Sequence, residues 1–280
     1  MDANNFHKKK IAVIAGDGLL PEEVVRGIKK LGNQYVIIKF NGVKSRTFYG
    51  NDLIEATFEN IFDLFVKLKA QNFNSIVCCG YIKPPYLNVN KINPNSRKIL
   101  KPILNSFKFG DESVFSSILN VFKENKLEPI SLKVIIPEAF PKLEFLTNLQ
   151  PTDVDRNDTN RSENILKHMS NADLGQSVVV RNGSCVAVET SLGTDKMLEL
   201  LQISNNLDGI GLAGGVLYKA PKINQNPFID LPVIGERTVD RVKSAGLNGI
   251  VIKKSGVIVL TPKATSELAD QLGVFIWSKK

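Results

Sequence analysis

The sequence predicts an α/β protein, with a parallel sheet flanked by helices in an N-terminal domain and a second α/β domain built on a mixed sheet. Three observations predict it. Apolar runs rich in Val and Ile alternate with amphipathic stretches through the first half, the order that builds a parallel sheet. An Asn-Gly pair between two apolar runs in the second half signals an antiparallel hairpin. A chain of 280 residues that is 43% hydrophobic has enough apolar surface for two cores.

The elements follow in order. "KKIAVIAGDGLLPEEVVRGIKKLG" reads as a strand, a Gly-containing turn and a helix ending at Gly32. "YVIIKFNG" reads as a second strand, "DLIEATFENIFDLFVKLKAQN" as a helix or helix pair, "SIVCCGYIK" as a third strand and "GDESVFSSILNVFKENKL" as a capped helix. This alternation makes the first domain Rossmann-like. The interval "KPPYLNVNKINPN" reads as a loop and places Lys83 and Pro84 at a strand C-terminal end, where open α/β sheets receive ligands. "PISLKVIIPEAF" closes the first half and "NLQPTDVDRNDTNRSE" is polar and turn-rich, so the domain boundary is set near Pro137, giving domains 1–136 and 137–280.

In the second half, "QSVVVRNGSCVAVE" is a hairpin turning at Asn182-Gly183. "TSLGTDKMLELLQ" enters a helix with Thr194 or Asp195 as its natural N-cap. "LDGIGLAGGVLYKAP" reads as a strand running into a Gly-rich loop, "GERTVDRVKSAGLNG" as a helix and "GIVIKKSGVIVL" as a closing hairpin.

Composition narrows the chemistry. The three cysteines have no CxxC spacing and read as buried packing thiols, and two isolated histidines cannot build a zinc or di-iron cluster. A metal would therefore take oxygen ligands, which favours Mg²⁺ or Mn²⁺. The net charge of +8 favours an anionic partner. No aromatic-interleaved basic groove or nucleic-acid motif accompanies it, so nucleic acid is not the partner expected. No apolar run reaches the roughly 18 to 20 residues of a membrane span, and the N-terminus lacks a signal-peptide core; the expected location is the cytoplasm.

Several motifs suit a phosphorylated ligand. "AGDGLLP" holds Gly16, Asp17 and Gly18 in a turn entering a helix, where N–H groups and the helix dipole can hold an anion. It is not the full GxGxxG pattern, since Pro21 stands at its sixth position, and the missing third glycine disfavours a dinucleotide-dependent oxidoreductase. "GTDK" (Gly193, Thr194, Asp195) opens another helix, and "LAGGVLYKAPK" joins Gly214 and Gly215 to Lys219 and Lys222. Two such cradles suggest a diphosphate. Asp230, in "NPFIDLPVIG", is either an Asx-turn residue or a carboxylate that binds Mg²⁺ or positions water, and spacing alone leaves both open.

Taken in order, "IAGDGLLP", "GQSVVVRNG" with Gly175 and Gln176, "VET..LGTDKML", "DGIGLAGGVLYKAPK" and "IDLPVIGERTV" resemble the LpxI-type UDP-2,3-diacylglucosamine pyrophosphatases over nearly the whole chain. The resemblance implies two α/β domains with the lipid product held between them, and a step in lipid A biosynthesis of Gram-negative bacteria. That step is hydrolysis of UDP-2,3-diacylglucosamine to UMP and 2,3-diacylglucosamine 1-phosphate (lipid X), with Mg²⁺ assisting. Asp230 falls on the family's DLP.IG aspartate and would be the catalytic and metal-binding carboxylate. Gly16, Asp17, Gly18, Lys83, Gln176, Gly193, Thr194, Asp195, Gly214, Gly215, Lys219 and Lys222 would contact substrate. A substrate with two acyl chains implies transient contact with the inner-membrane surface, and a homodimer would be unsurprising. The chain departs from the pattern at Leu192, where the family has an acid whose role would be lost or moved to Glu189 or Asp195. It also departs at Lys83-Pro84-Pro85, where a Lys-Arg-Pro turn is usual, and at Asn224 and Asn226 before Asp230. Leu192 motivates a second reading, a nucleotide- or lipid-binding regulatory protein of the same fold without turnover.

Overall fold

A computed structural model describes residues 9–43, 52–82, 89–207, 213–223 and 225–280. The chain divides into two units, one comprising Met1–Pro137 with Asn226–Asp230 and the other Glu138–Gln225 with Leu231–Lys280. Assigning 226–230 to the first unit differs from a single cut near Pro137. No local pattern signals it, because that segment is recruited by two apolar side chains rather than by a strand or helix.

The first unit runs β1 (Lys10–Ala15), α1 (Leu20–Lys30), β2 (Gln34–Phe40), β3 (Leu53–Ala56), α2 (Ile61–Ala70), β4 (Ser75–Cys79), α3 (Pro94–Ser106), α4 (Asp111–Glu124), β5 (Glu128–Pro129) and α5 (Leu132–Ile135). Its sheet has the order β3-β2-β1-β4-β5 with every pair parallel, as the alternation predicts. The chain leaves β1 in one direction towards β2 and β3 and returns on its other side as β4. The crevice at the C-terminal ends of β1 and β4 is therefore the topological switch point.

Two elements differ from the sequence reading. Residues "LIEA" in the segment read as helical form the edge strand β3, because pairing with β2 overrides their helix propensity. Helix α3 begins at the end of the stretch read as a loop and runs on through residues given no element in the sequence reading; Asn93 starts it by accepting from the Asn95 N–H at 2.9 Å, with Pro94 in its first turn.

The second unit runs α6 (Asp153–Asn171), β6 (Ser177–Arg181), β7 (Ser184–Val188), α7 (Thr194–Leu207), β8 (Val216–Lys219), β9 (Val233–Ile234), α8 (Glu236–Ser244), β10 (Gly249–Lys253), β11 (Ile258–Val259), α9 (Pro262–Leu272) and β12 (Phe275–Lys279). Its main sheet has the order β12-β10-β8-β6-β7, with β8, β10 and β12 parallel and β6 antiparallel to both β7 and β8. It is the mixed sheet the sequence predicts. Alternation along the strands serves both faces. Leu217, Ile250 and Ile276 pack with Leu198 of α7, Val239 and Val242 of α8 and Ala269 of α9, while Tyr218, Val251 and Trp277 lie with Leu166 and Met169 of α6.

Asn182 and Gly183 adopt φ of 49° and 78°, the left-handed pair a two-residue hairpin turn requires. Three readings are corrected here. The "closing hairpin" does not form, because β10 sits between β8 and β12 while β11 pairs in parallel with β9. Gly214 and Gly215 precede β8 rather than follow it. The polar stretch after Gln150, read as turn-rich, is the 19-residue helix α6, opened by a capping box between Thr152 and Asp155. Its inner face is polar, with Asp155, Asp158, Thr159 and Ser162 buried, which hides it from a search for apolar periodicity. Of the thiols, Cys79 is buried and burial pushes it well above its ordinary pKa, but Cys185 is exposed on the edge strand β7, contrary to expectation.

Candidate active site

On the first unit, the Gly16-Asp17-Gly18 turn lies at the switch point, tied to the loop after β4. The Gly16 N–H donates to the Cys79 carbonyl at 2.8 Å and the Asp17 N–H to the Tyr81 carbonyl at 2.8 Å; the Tyr81 N–H returns to the Asp17 carbonyl at 3.0 Å. The Gly18 N–H donates to the Asp17 carboxylate at 2.9 Å. A side chain at Gly16 would stand 2.6 Å from the Tyr81 carbonyl oxygen, so glycine is there to let the two loops meet. This corrects the expectation of a free N–H cradle, since all three amides are committed inside the protein. Glu22 and Glu23 in the first turn of α1 also occupy the dipole that an anion would need. The turn is where a ligand is expected in this topology, but it offers shape more than donors.

Asp230 belongs to this same unit. It is exposed and holds φ of 62°, a left-handed conformation that Asp tolerates better than most residues. The segment before it is a tight turn in which the Phe228 N–H donates to the Asn226 side-chain oxygen at 3.0 Å and the Ile229 N–H to the Asn226 carbonyl at 3.3 Å. Asn226 thus builds the turn. Ile229, 7% exposed, and Phe228 pack into the core of the first unit. A short apolar plug therefore fixes the backbone from which Asp230 projects.

On the second unit, four predicted or neighbouring residues converge at one end of the strands of the mixed sheet. Lys219 ends β8 and Ser177 begins β6, opposite each other in the antiparallel register. Glu189 follows β7, and Thr194 opens α7. Lys219 is only 7% exposed, and its ammonium donates to the Thr194 hydroxyl oxygen at 2.6 Å. The Thr194 hydroxyl donates to the Glu189 carboxylate at 2.8 Å, and the Ser177 hydroxyl donates to the same carboxylate oxygen. Gly175 makes room, for a side chain there would lie 2.5 Å from Cβ of Glu189. The Gln176 carbonyl accepts the Ala220 N–H at 3.0 Å, extending the sheet by one bond. Neither Thr194 nor Asp195 is the N-cap expected; the Gly193 carbonyl accepts the Met197 N–H at 3.2 Å, with Gly193 at φ of 82°. Thr194 is freed from capping and turned into the buried cluster.

The remaining expected residues are not gathered there. Asp195 pairs with Arg237 at 2.9 Å on the surface, and Lys222 pairs with Asp173 at 2.7 Å. Gly214 and Gly215 lie at the opposite end of β8 from Lys219, a strand length away at about 3.3 Å per residue. The Gly214 N–H donates to the Gly246 carbonyl at 2.8 Å and its carbonyl accepts from Arg181 at 2.9 Å. A side chain at Gly215 would stand 2.5 Å from the Val180 carbonyl oxygen. This Gly-Gly pair is a packing joint, not a phosphate cradle beside Lys219. Lys83 and Asn224 lie outside the described residues. Leu192 is 66% exposed, so the acid missing at that position is not replaced by a buried group there. Ser177 was missed, and Glu189 was named only as one of two places for a displaced acid, because their convergence with Thr194 and Lys219 depends on strand register.

Among the described residues no three His, Cys, Asp or Glu side chains group to hold a metal ion. Mg²⁺ commonly uses one or two carboxylates and lets substrate phosphates and water supply the rest, so an exposed, backbone-fixed Asp230 fits that donor set without further protein ligands. Among the same residues no helix is long and apolar enough to cross a membrane.

Comparison with known proteins matches both halves. A family model for the LpxI N-terminal domain matches residues 10–139, and one for the LpxI C-terminal domain matches residues 142–277. The chain is similar to the UDP-2,3-diacylglucosamine pyrophosphatase LpxI of Caulobacter vibrioides, with 27% identity over 275 residues that cover 96% of each chain.

Proposed function

Since the chain belongs to the LpxI family, we propose that it hydrolyses the diphosphate of UDP-2,3-diacylglucosamine, giving UMP and 2,3-diacylglucosamine 1-phosphate. The observation that carries this reading is the match of both domains at nearly full length to a pyrophosphatase of that name.

Diphosphate cleavage by water needs orientation and charge neutralisation more than a strong base. Asp230 supplies an acceptor carboxylate whose position is set by the Ile229 plug, suited to orienting the attacking water. Lys219 supplies a positive charge held in a largely desolvated setting, where it acts on phosphate oxygens more strongly than a solvated lysine would. The amino end of α7 at Thr194 adds its dipole in the same sense. Mg²⁺, held by Asp230 together with substrate oxygens, would supply further neutralisation of the developing charge. The two acyl chains of such a substrate reside in a bilayer, so the protein would work at the inner-membrane surface from the cytoplasmic side.

The test is UMP release from UDP-2,3-diacylglucosamine by the wild type and by Asp230→Asn, each with Mg²⁺ and with chelator. Metal-dependent turnover that falls at least about 100-fold in the variant is expected, the scale for removing a transition-state electrostatic contact. Turnover retained in Asp230→Asn would move the catalytic role elsewhere. Substrate binding without UMP release at any divalent-ion concentration would replace the enzyme with a binding protein of the same fold.

A further inference from the structure

In the Lys219 cluster both hydroxyl hydrogens can be assigned. An ionised Glu189 carboxylate only accepts, and a threonine or serine hydroxyl has one hydrogen to give. Thr194 accepts from Lys219 at 2.6 Å, so its single hydrogen is directed to Glu189 at 2.8 Å. Ser177 gives its own hydrogen to the same oxygen of Glu189. With both hydroxyl hydrogens committed, the 3.2 Å approach of Ser177 and Thr194 carries none. The polarity therefore runs one way, from the ammonium through Thr194 to the carboxylate.

We propose that Glu189, braced by Ser177, is a positioning residue for the diphosphatase reaction: it holds the Thr194 hydroxyl as an acceptor and so fixes the Lys219 ammonium where a phosphate oxygen is bound. The proposal rests on the function argued above. Glu189 acts through Thr194 and not by touching substrate. Gly175 belongs to the same device, because its missing side chain admits the Glu189 stem. Lysine carries a compact charge on a flexible stem, so an acceptor of fixed polarity matters more for it than for a planar guanidinium.

The experiment is a double-mutant cycle on the full chain with Thr194→Val, Glu189→Leu and the pair, plus Thr194→Ser, reading kcat and KM for UMP release. Binding of 2,3-diacylglucosamine 1-phosphate is measured in parallel, and thermal melts check folding. Leucine removes the acceptor that a glutamine oxygen would keep. Thr194→Val and Glu189→Leu should each lower kcat/KM at least tenfold, and the pair should be no worse than Thr194→Val alone, since both break one path. Thr194→Ser should recover most of what Thr194→Val loses. Additive losses in the pair, or Glu189→Leu with wild-type kcat/KM, would overturn the proposal. If the wild type binds the monophosphate but does not turn over, the hydrolytic reading fails and the cycle is scored in binding, where the same non-additivity is required. A wild type that does neither overturns both.

Discussion

Replacing Ile229 by alanine should loosen Asp230 without touching it. The isoleucine is 7% exposed and packs in the core of the first unit, and alanine removes three buried carbons. At about 0.8 kcal/mol per buried carbon group, the loss is about 2.4 kcal/mol. A rigid site would add a cavity penalty and reach the upper part of the 2–5 kcal/mol range for such truncations. Here the plug is a five-residue segment, Asn226–Asp230, that can lift away instead of leaving a void, so the transfer value is the better figure. A change of about 2.4 kcal/mol weakens docking of the segment roughly 50-fold. The assay is hydrogen exchange at the Phe228 and Ile229 amides, which the Asn226 turn protects, alongside UMP release. Faster exchange confined to that segment, with kcat lowered and the global melting temperature changed by only a few degrees, is expected. Wild-type exchange and wild-type turnover together would refute the plug as the support of Asp230.

Two further outcomes follow from packing and charge. Gly215→Ala combines a φ of 88° with a side chain placed 2.5 Å from the Val180 carbonyl oxygen, so a loss of at least about 2 kcal/mol is expected in denaturant titration, and a loss below about 0.5 kcal/mol would show that β8 and β6 can part there. For Glu163, burial pushes the carboxyl up, but the Lys279 hydrogen bond and charge, with Lys253 and Tyr218, outweigh it and hold the group below its ordinary 4.5. A depressed carboxyl stabilises the fold above its unfolded value and loses that contribution as pH falls through the folded one. The stability gap between wild type and Glu163→Gln should therefore be greatest near neutral pH and close in acid; a gap that widens on acidification would contradict the assignment.

How much of this was legible depended on the range of the interactions. The Asn182-Gly183 hairpin and the β1 to α1 unit are local, and short patterns announce them. Helix α6 was legible in principle through its Thr152-x-x-Asp155 start, but a buried face made of Asp, Thr and Ser does not register as apolar periodicity. Strand β11 lies close in sequence to β10 yet pairs with β9, a choice made by tertiary packing. For the candidate site, Lys219, Thr194 and Asp230 stand out by residue type and by resemblance. Glu189 and Ser177 do not, because an acid and a serine near a strand end are ordinary until register brings them to a buried lysine. The glycines misled in the other direction, since Gly16 and Gly215 serve close backbone approach and not anion binding.

The excursion of Asn226–Asp230 into the first unit sets the order in which the protein can be completed during synthesis. The body of that unit ends at Pro137, and the segment that fills its last apolar slot is made roughly ninety residues later, a delay of about 5 to 18 s at ordinary translation rates. Through that interval the apolar patch of the first unit that Phe228 and Ile229 cover stays open. The residue proposed for catalysis is seated when Phe228 and Ile229 close the patch, so a truncated or stalled chain would lack both a finished core and a positioned carboxylate. Completion of the first unit's core and seating of the Asp230 backbone are thus a single folding event.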